Sequence, residues 1–412
     1  MTMMNECRAC RSQRLHMFLP MGDHPPANAF LREDQLGGEE AAFSLDSIAC
    51  LDCGLIQIAD QIPPDFFRHY LYIPSASDTM HGHFRNFAER IKERLSPYDE
   101  APLVVDIGCN DGLFLQACKA TGLRPLGIDP AENIAEMARA KEIEVVNHYF
   151  SPEIADSTRE QYRPADVITS TNTFNHIGDL HHFTEGVTRL LGEHGIFVLE
   201  VPDAVDLVEK NEFDTIYQEH LSEFSVKSLV DLFADFSLEL FDIERLEIHG
   251  GSMRIFSRRK GDDRWPVQPS VKRWLEREAA AGLYEQATYD AFAERVEKNR
   301  EELMALLKKL KTEGKRIAGY GAPAKGNTLL NYFGIGPDHL EYLADRNELK
   351  QGLYSPGMRI PVVSPDVIKQ DPPDYLLILA WNFGDEIMEQ QAAFREAGGK
   401  FILPIPEVEV IG

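Results

Sequence analysis

Residues 103–115, LVVDIGCNDGLFL, constrain the fold more than any other stretch. Apolar residues lead into Asp106, a turn carries Gly108, Asn110 and Gly112, and a second apolar run follows. That order describes a buried strand that stops, turns on glycine and starts a helix. Glycine lets backbone come close to a ligand, and the helix N-terminus then points at it. The spacing is acid-x-Gly-x-x-x-Gly, not the Gly-x-Gly-x-x-Gly that suits a pyrophosphate. An acid at the strand end repels phosphate and favours a cationic amino-acid group. S-adenosylmethionine fits, since it carries a sulfonium and an ammonium but no phosphate. The plainer alternative is a glycine turn of any α/β fold, and the next strand weighs against it. Residues 124–129, RPLGID, read as a short strand ending in Asp129, one βαβ step after Asp106. An acid there bonds ribose hydroxyls.

A chain of 412 residues is too long for one ordinary domain, and about two or three are expected. Hydrophobic residues make up 43% and charged residues 26%, as in a globular protein. The formal charge of −25 disfavours binding to nucleic acid or to an anionic membrane. It leaves room for a local basic pocket. No apolar run reaches the length of a membrane span, and MTMMNECRAC lacks a signal-peptide core. A cytoplasmic protein is expected.

Four of the six cysteines fall in two C-x-x-C pairs, Cys7 with Cys10 and Cys50 with Cys53. In a cytosolic chain such pairs read as zinc, not as disulfides. Four thiolates make a closed tetrahedral site with no open position for chemistry, so the zinc is expected to be structural. A redox dithiol pair is the lesser alternative. Residues 1–75 form this zinc-binding unit.

Further strands read from EVVNHYF, ADVITSTN and GIFVLEVPD, alternating with helical segments. The pattern predicts a mainly parallel, doubly wound sheet. Ligands bind beyond the carboxyl ends of such strands. That rule brings forward Asn172, Asn175 and His176 after one strand, and Tyr217, Glu219 and His220 on a later connection. His181 and His182 read as helix surface. Residues 274–310 read as long helix with Gly282 as a break. From residue 314 strands and turns begin again, in KRIAGYGA, LEYLADRN and DYLLILAWNF, as a second Rossmann-like unit. Lys325 and Asn327 lie where a strand turns into a helix, a place suited to phosphate. A tight domain contact is the other reading of APAKGN.

With these pieces placed, the chain resembles the S-adenosylmethionine-dependent sugar C-methyltransferases of deoxysugar biosynthesis. The resemblance spans nearly the whole chain. It rests on C-x-x-C…C-x-x-C, HPPANAFL and YLYIPSAS, then on DIGCNDG, NTFNHI and YQEHLSEFS. At the C-terminal end it rests on HGGSMR, GYGAPAKGNTLLNYF, ADRN, KQGLYSPGMRIPV and LAWNF. It implies an α/β protein of three parts: an N-terminal zinc-binding domain (1–75), a central Rossmann-like class I methyltransferase domain with trailing helices (76–300), and a C-terminal Rossmann-like domain (301–412). The implied substrate is a nucleotide-diphosphate-linked 4-ketosugar, methylated beside the ketone at C3, or else C5, through an enolate. A monomer or weak oligomer is expected.

The base in this family looks like the histidine of YQEH, which assigns His220. Histidine suits the task because its pKa lies near working pH. Glu219 would orient it. His176 would touch the sugar or the enolate, and Tyr217 and Tyr72 (rather than Tyr70) would complete the pocket. Asp106, Gly108, Asn110, Gly112, Asp129 and Asn172 would hold the cofactor. Lys325, Asn327, Arg254 and Asn175 would hold the substrate. Two rival classes remain at this point: an NAD(P)-dependent oxidoreductase or epimerase, weakened by the missing Gly-x-Gly-x-x-Gly, and a non-enzymatic zinc-ribbon interaction protein.

Overall fold

The computed structural model describes residues 4–63, 66, 73–98, 100–248 and 250–412. Its largest sheet has seven strands. In spatial order they are Leu238–Leu246, Ser252–Arg259, Leu191–Pro202, Ala165–Thr171, Leu103–Ile107, Arg124–Ile128 and Val145–Val146. Ser252–Arg259 runs antiparallel to both neighbours, and the remaining pairings are parallel. All residues of Leu103–Ile107 are buried. A parallel strand covered on both faces must be apolar throughout, which is why its lone acid, Asp106, stands out in the sequence. The chain leaves Leu103–Ile107 toward Arg124–Ile128 on one side and returns to Ala165–Thr171 on the other. The crevice at this reversal of strand order is where an open α/β sheet binds its ligand.

The N-terminal sheet is antiparallel, in the order Leu15–Leu19, Ser47–Cys50, Ile56–Ile58 and Ser222–Glu223. Its last strand comes from the middle of the chain, directly after YQEH. The sulfurs of Cys7, Cys10, Cys50 and Cys53 lie within 4.8 Å of one another. Cys7 Sγ is 3.6 Å from Cys53 Sγ, and Cys10 Sγ is 3.6 Å from Cys50 Sγ. Tetrahedral zinc with bonds of about 2.3 Å needs sulfurs about 3.8 Å apart. The four thiols therefore fit one zinc ion, and no histidine or carboxylate joins the group among the described residues.

The expected long helix is two, Pro269–Ala280 and Gln286–Thr312, with Gly282 between them at φ +72°. Tyr289, Phe292, Val296, Leu303 and Leu307 of the second share one core with Phe18 and Leu19 of the N-terminal sheet and with Ile317, Leu329 and Leu377 further on. The expected boundary at residue 301 falls inside this helix. The C-terminal sheet runs Val362–Val363, Leu343–Ala344, Ile317–Tyr320, Tyr375–Ile378, Lys400–Leu403 and Glu409–Ile411, parallel except at the last pair. Among the described residues no helix is long and apolar enough to cross a membrane.

Binding of a structural zinc is worth roughly 10–16 kcal/mol of apparent free energy, against a total stability of about 5–15 kcal/mol. Cys50→Ser is therefore expected to lose zinc and folded protein together, read by metal analysis and soluble yield. A folded, zinc-free variant that had lost only turnover would make the metal catalytic instead.

Candidate active site

The turn after Leu103–Ile107 is built from residues that tolerate left-handed backbone. Gly108 has φ +77°, and its N–H donates to Ile128 O at 2.8 Å. A Cβ at Gly108 would collide with the Thr173 side chain. Asn110, at φ +49°, donates its N–H to Asp129 Oδ2 at 2.9 Å, and Ala131 N–H donates to Oδ1 at 2.8 Å. Asp129 is thus fixed by two backbone donors at the end of its strand. Gly112, also at φ +77°, caps the helix Leu113–Ala120. Asp106 is 1% exposed and accepts a hydrogen bond from Thr169 Oγ1 at 2.7 Å. Burial pushes its carboxyl up to about 8. Asn172, at φ +50°, donates its N–H to Glu200 O at 2.8 Å.

Beyond the next strand the YQEH segment forms a hydrogen-bonded chain. Tyr217 OH is 2.6 Å from His220 Nε2, with ring centroids 4.0 Å apart. His220 Nδ1 is 2.8 Å from Glu223 Oε1. His176, from the turn Phe174–His176, has its ring 5.2 Å from that of His220. Burial is the main cause that lowers His220 to about 3, and the charge of Lys325 adds to it. Burial likewise lowers His176 and raises Glu223. Both imidazoles are held neutral.

The motif points to Glu219 as the partner of His220, but the structure seats Glu223 there. Glu219 instead accepts from Asn28 Nδ2 at 2.7 Å. Adjacent residues point different ways, whereas a tight turn from Tyr217 to His220 brings the residue three further on back against the ring. The HPPANAFL loop clamps this segment. Ala27 N–H donates to Gln218 Oε1 at 3.2 Å, and Gln218 Nε2 donates to His24 O at 3.0 Å.

The C-terminal sheet repeats the geometry of the first turn. Gly321, at φ +87°, donates its N–H to Ala344 O at 2.8 Å. Asp345 then takes Ala322 N–H at 2.6 Å and Asn347 N–H at 2.8 Å. Lys325 lies in the first turn of Ala324–Phe333, its Nζ 5.0 Å from the Trp381 ring centroid. Trp381 Nε1 donates to Asp214 Oδ2 at 2.8 Å. Lys350 Nζ donates to Ala322 O at 2.8 Å, and burial lowers its pKa.

One cavity of about 870 Å³ joins these groups. It runs from Asp106, Gly108, Asn110, Asp129 and Asn172 past His176, Tyr217 and His220 to Lys325, Asp345 and Lys350. Five expected residues, Glu219, Asn327, Arg254, Asn175 and Gly112, lie outside its lining. Glu219 is fully buried at Asn28. Asn327 is buried and donates to Ala27 O at 2.8 Å, so it ties the last helix to the HPPANAFL loop. Arg254 is spent on Glu200, with Nε 2.6 Å from Oε1, and lies 3.9 Å over the Phe87 ring. Asn175 is buried with neither amide atom hydrogen-bonded. Gly112 acts behind the turn, where a Cβ would press on Ala138 at 3.1 Å. Tyr72 and Tyr70 lie outside the described residues, as does His249 of HGGSMR.

Asp345 and Lys350 line the cavity and Glu223 stands against His220, and sequence reasoning assigned none of the three. Asp345 had a readable signal, an acid ending a strand as Asp129 does. Glu223 had only its spacing from His220.

Three family profiles match the chain in succession. The profile of a zinc binding domain matches residues 7–67, that of a methyltransferase domain residues 80–242, and that of a C-methyltransferase C-terminal domain residues 247–406. The C-methyltransferase NovU of Streptomyces niveus is 37% identical over 408 residues, which is 99% of this chain and 97% of NovU. Solved methyltransferases cover less than half of the chain. The magnesium protoporphyrin IX methyltransferase of Synechocystis, with bound S-adenosylmethionine, aligns with 44% of this chain and 82% of its own at 11% identity and a TM-score of 0.34. A methyltransferase from Anabaena variabilis aligns with 44% and 86% at 18% identity and a TM-score of 0.35. Those likenesses are too distant to support inference, and the full-length match decides. This chain belongs to the S-adenosylmethionine-dependent C-methyltransferases, with a structural zinc site of four cysteines at its N-terminal end.

Proposed function

We propose that this enzyme transfers a methyl group to the carbon beside the ketone of a nucleotide-linked 4-keto-deoxysugar, C3 in preference to C5, through an enolate. The observation that carries the reading is the Tyr217–His220–Glu223 chain, set in one cavity between an S-adenosylmethionine turn and a cluster of lysines. Gly108 and Asn110 would hold the cofactor against the turn, with Asp129 on the ribose and Asp106 toward the cationic amino-acid end. The bound cofactor supplies an electrophilic methyl on sulfur.

His220 takes the proton from the carbon next to the ketone. Burial raises Glu223, so the acid must give up its proton before Nδ1–H can donate to it and Nε2 can act as the basic nitrogen. Tyr217 and His176 flank that nitrogen, where one of them donates to the enolate oxygen. The carbon so activated would take the electrophilic methyl that the bound cofactor supplies, its electrons passing to the leaving sulfur, and the abstracted proton would leave His220 for solvent. A nitrogen held near 3 is a weak base, and Lys325 is one cause of that. A diphosphate beside Lys325 offsets its charge and raises the basicity of His220 once substrate is seated. The volume of about 870 Å³ lies at the upper end of the roughly 300–1,000 Å³ of ligand pockets, as two ligands require. Asp345, placed as Asp129 is, suits the ribose of the substrate nucleotide, and Lys325 and Lys350 suit its diphosphate. The proposed domain limits are residues 1–75, 76–300 and 301–412, with the helix Gln286–Thr312 shared across the last of them.

His220→Asn is expected to bind both ligands and lose turnover by about a hundredfold to ten-thousandfold, the range for a missing general base. Deuterium exchange at the methylated carbon, without the methyl donor, falls in parallel when a panel of nucleotide 4-ketosugars is followed by NMR. Exchange that persists in His220→Asn but vanishes in His176→Asn would reverse the two roles.

Asp129→Ala is expected to weaken S-adenosylmethionine by roughly 1.5–3 kcal/mol, or about ten- to a hundredfold in Kd. Isothermal titration measures it, and an unchanged Kd removes Asp129 from the ribose.

Asp106 gives a pH test. Its carboxyl sits near 8 in the free protein, so a cationic ligand must displace its proton at neutral pH. Binding should release a proton, and affinity should rise with pH and level off above about 8. Calorimetry in buffers of different ionisation enthalpy reads the proton. In Asp106→Asn both the release and the slope should vanish.

A further inference from the structure

We propose that Arg8, between the first two zinc ligands, is a positioning residue that couples the zinc site to the His220–Glu223 pair. The inference rests on the reading of His220 as the base. Arg8 Nη1 donates to Ile58 O at 2.5 Å and to Leu221 O at 3.2 Å, and Nη2 donates to Ala59 O at 3.4 Å. Its backbone N–H donates to Gln57 Oε1 at 3.0 Å. Leu221 directly follows His220, and its carbonyl also accepts Ile58 N–H at 3.3 Å. One guanidinium therefore grips both chains of the small ladder that carries Glu223.

That ladder needs the grip. It has only two paired positions, Ser222 with Gln57 and Glu223 with Ile56, at the edge of the N-terminal sheet. The second zinc knuckle holds the other flank, where Ser225 Oγ donates to Cys53 O at 2.5 Å. The base pair is thus fixed on one side through Arg8 and on the other through Cys53, and both anchors are set by the same four thiolates. A lysine cannot reproduce the planar fork that meets several carbonyls at once. Without Arg8 the Leu221 carbonyl keeps only the 3.3 Å bond from Ile58 N–H, and the distance from His220 Nδ1 to Glu223 is held less firmly.

The test uses the full-length, zinc-loaded chain labelled with 15N-histidine, with the His220 signal assigned by its loss in His220→Asn. Tyr217, Glu223, His176 and Lys325 are the groups that set its titration. In the wild type His220 should hold one tautomer and not titrate between about pH 5 and 8. Arg8→Ala should keep its zinc and its affinity for S-adenosylmethionine. Its His220 should average both tautomers, with a midpoint moved up toward the ordinary value of about 6.5. Its kcat should fall about a hundredfold, the cost of a misplacement near 1 Å. Arg8→Lys should lie between. Wild-type His220 signals and kcat in Arg8→Ala would overturn the proposal. Loss of zinc from both variants would also overturn it, since Arg8 would then only staple the knuckle. If His220→Asn keeps exchange, the base is wrongly named, and the effect of Arg8 on the His220 signal is read independently of that result.

Discussion

Two paired positions hold the site together. Ser222 lies opposite Gln57, and Glu223 lies opposite Ile56, so a strand of the zinc unit pairs with the one that bears the acid that meets His220. A two-residue ladder is a weak element by itself. It is kept in register because the Cys50–Cys53 turn leads into Ile56–Ile58 and because Arg8 reaches across to Leu221. The zinc does no chemistry in this arrangement. It would tie together a short N-terminal sheet whose Phe18, Leu19, Ile56 and Ile58 pack into a core shared with the rest of the chain.

What that sheet supports is costly. Glu223 is 1% exposed and His220 8%, with one carboxylate oxygen of Glu223 unpartnered. Taking a carboxylate from water without full pairing costs several kcal/mol. The fold meets that cost by letting the pair stay near neutral, which is why burial raises Glu223 and lowers His220. Glu212 and Asp214 are pushed up the same way, to about 7 and about 6, with the charge of Lys325 as the main influence opposing it. Lys325 is thus shared between buried acids and the cavity. An anionic ligand arriving there changes the balance for the acids and for the imidazole at once.

The sequence made the methyltransferase sheet legible because a strand buried on both faces leaves a continuous apolar run, broken only where Asp106 and Asp129 end it. Zinc was legible from cysteine spacing alone. His220 and Tyr217 could be singled out by motif, but their true partner could not. Glu223 and Glu219 are equally acidic neighbours of His220 in the chain, and only the turn and the pairing with Ile56 decide which one meets the ring. Arg254 and Asn327 looked like ligand contacts for the same reason that they are well placed as anchors. A cation or amide near a glycine turn serves a buried carboxylate or a carbonyl as readily as a substrate. Which of these it meets depends on chains far away in sequence, Glu200 for one and Ala27 for the other.

The charge of the molecule sharpens the case for a local phosphate site. At −25 the protein repels an anion at a distance. At physiological salt, however, charges farther apart than about 8 Å are largely screened. Inside the cavity the nearest charges decide, and there Lys325 and Lys350 stand with the first turn of Ala324–Phe333, whose N–H groups carry partial positive charge. Asp345 lies at the neighbouring strand end, tied to two backbone donors as Asp129 is. The two ends of the cavity therefore share one device, an acid fixed by backbone amides after a strand. They differ in what stands beside it: Asp106 at one end, lysines at the other. An acid there suits a cationic cofactor, and lysines suit a diphosphate. On the proposed reading the same turn, repeated with lysines beside it, would seat the substrate nucleoside at one end and the cofactor at the other, with His220 between them.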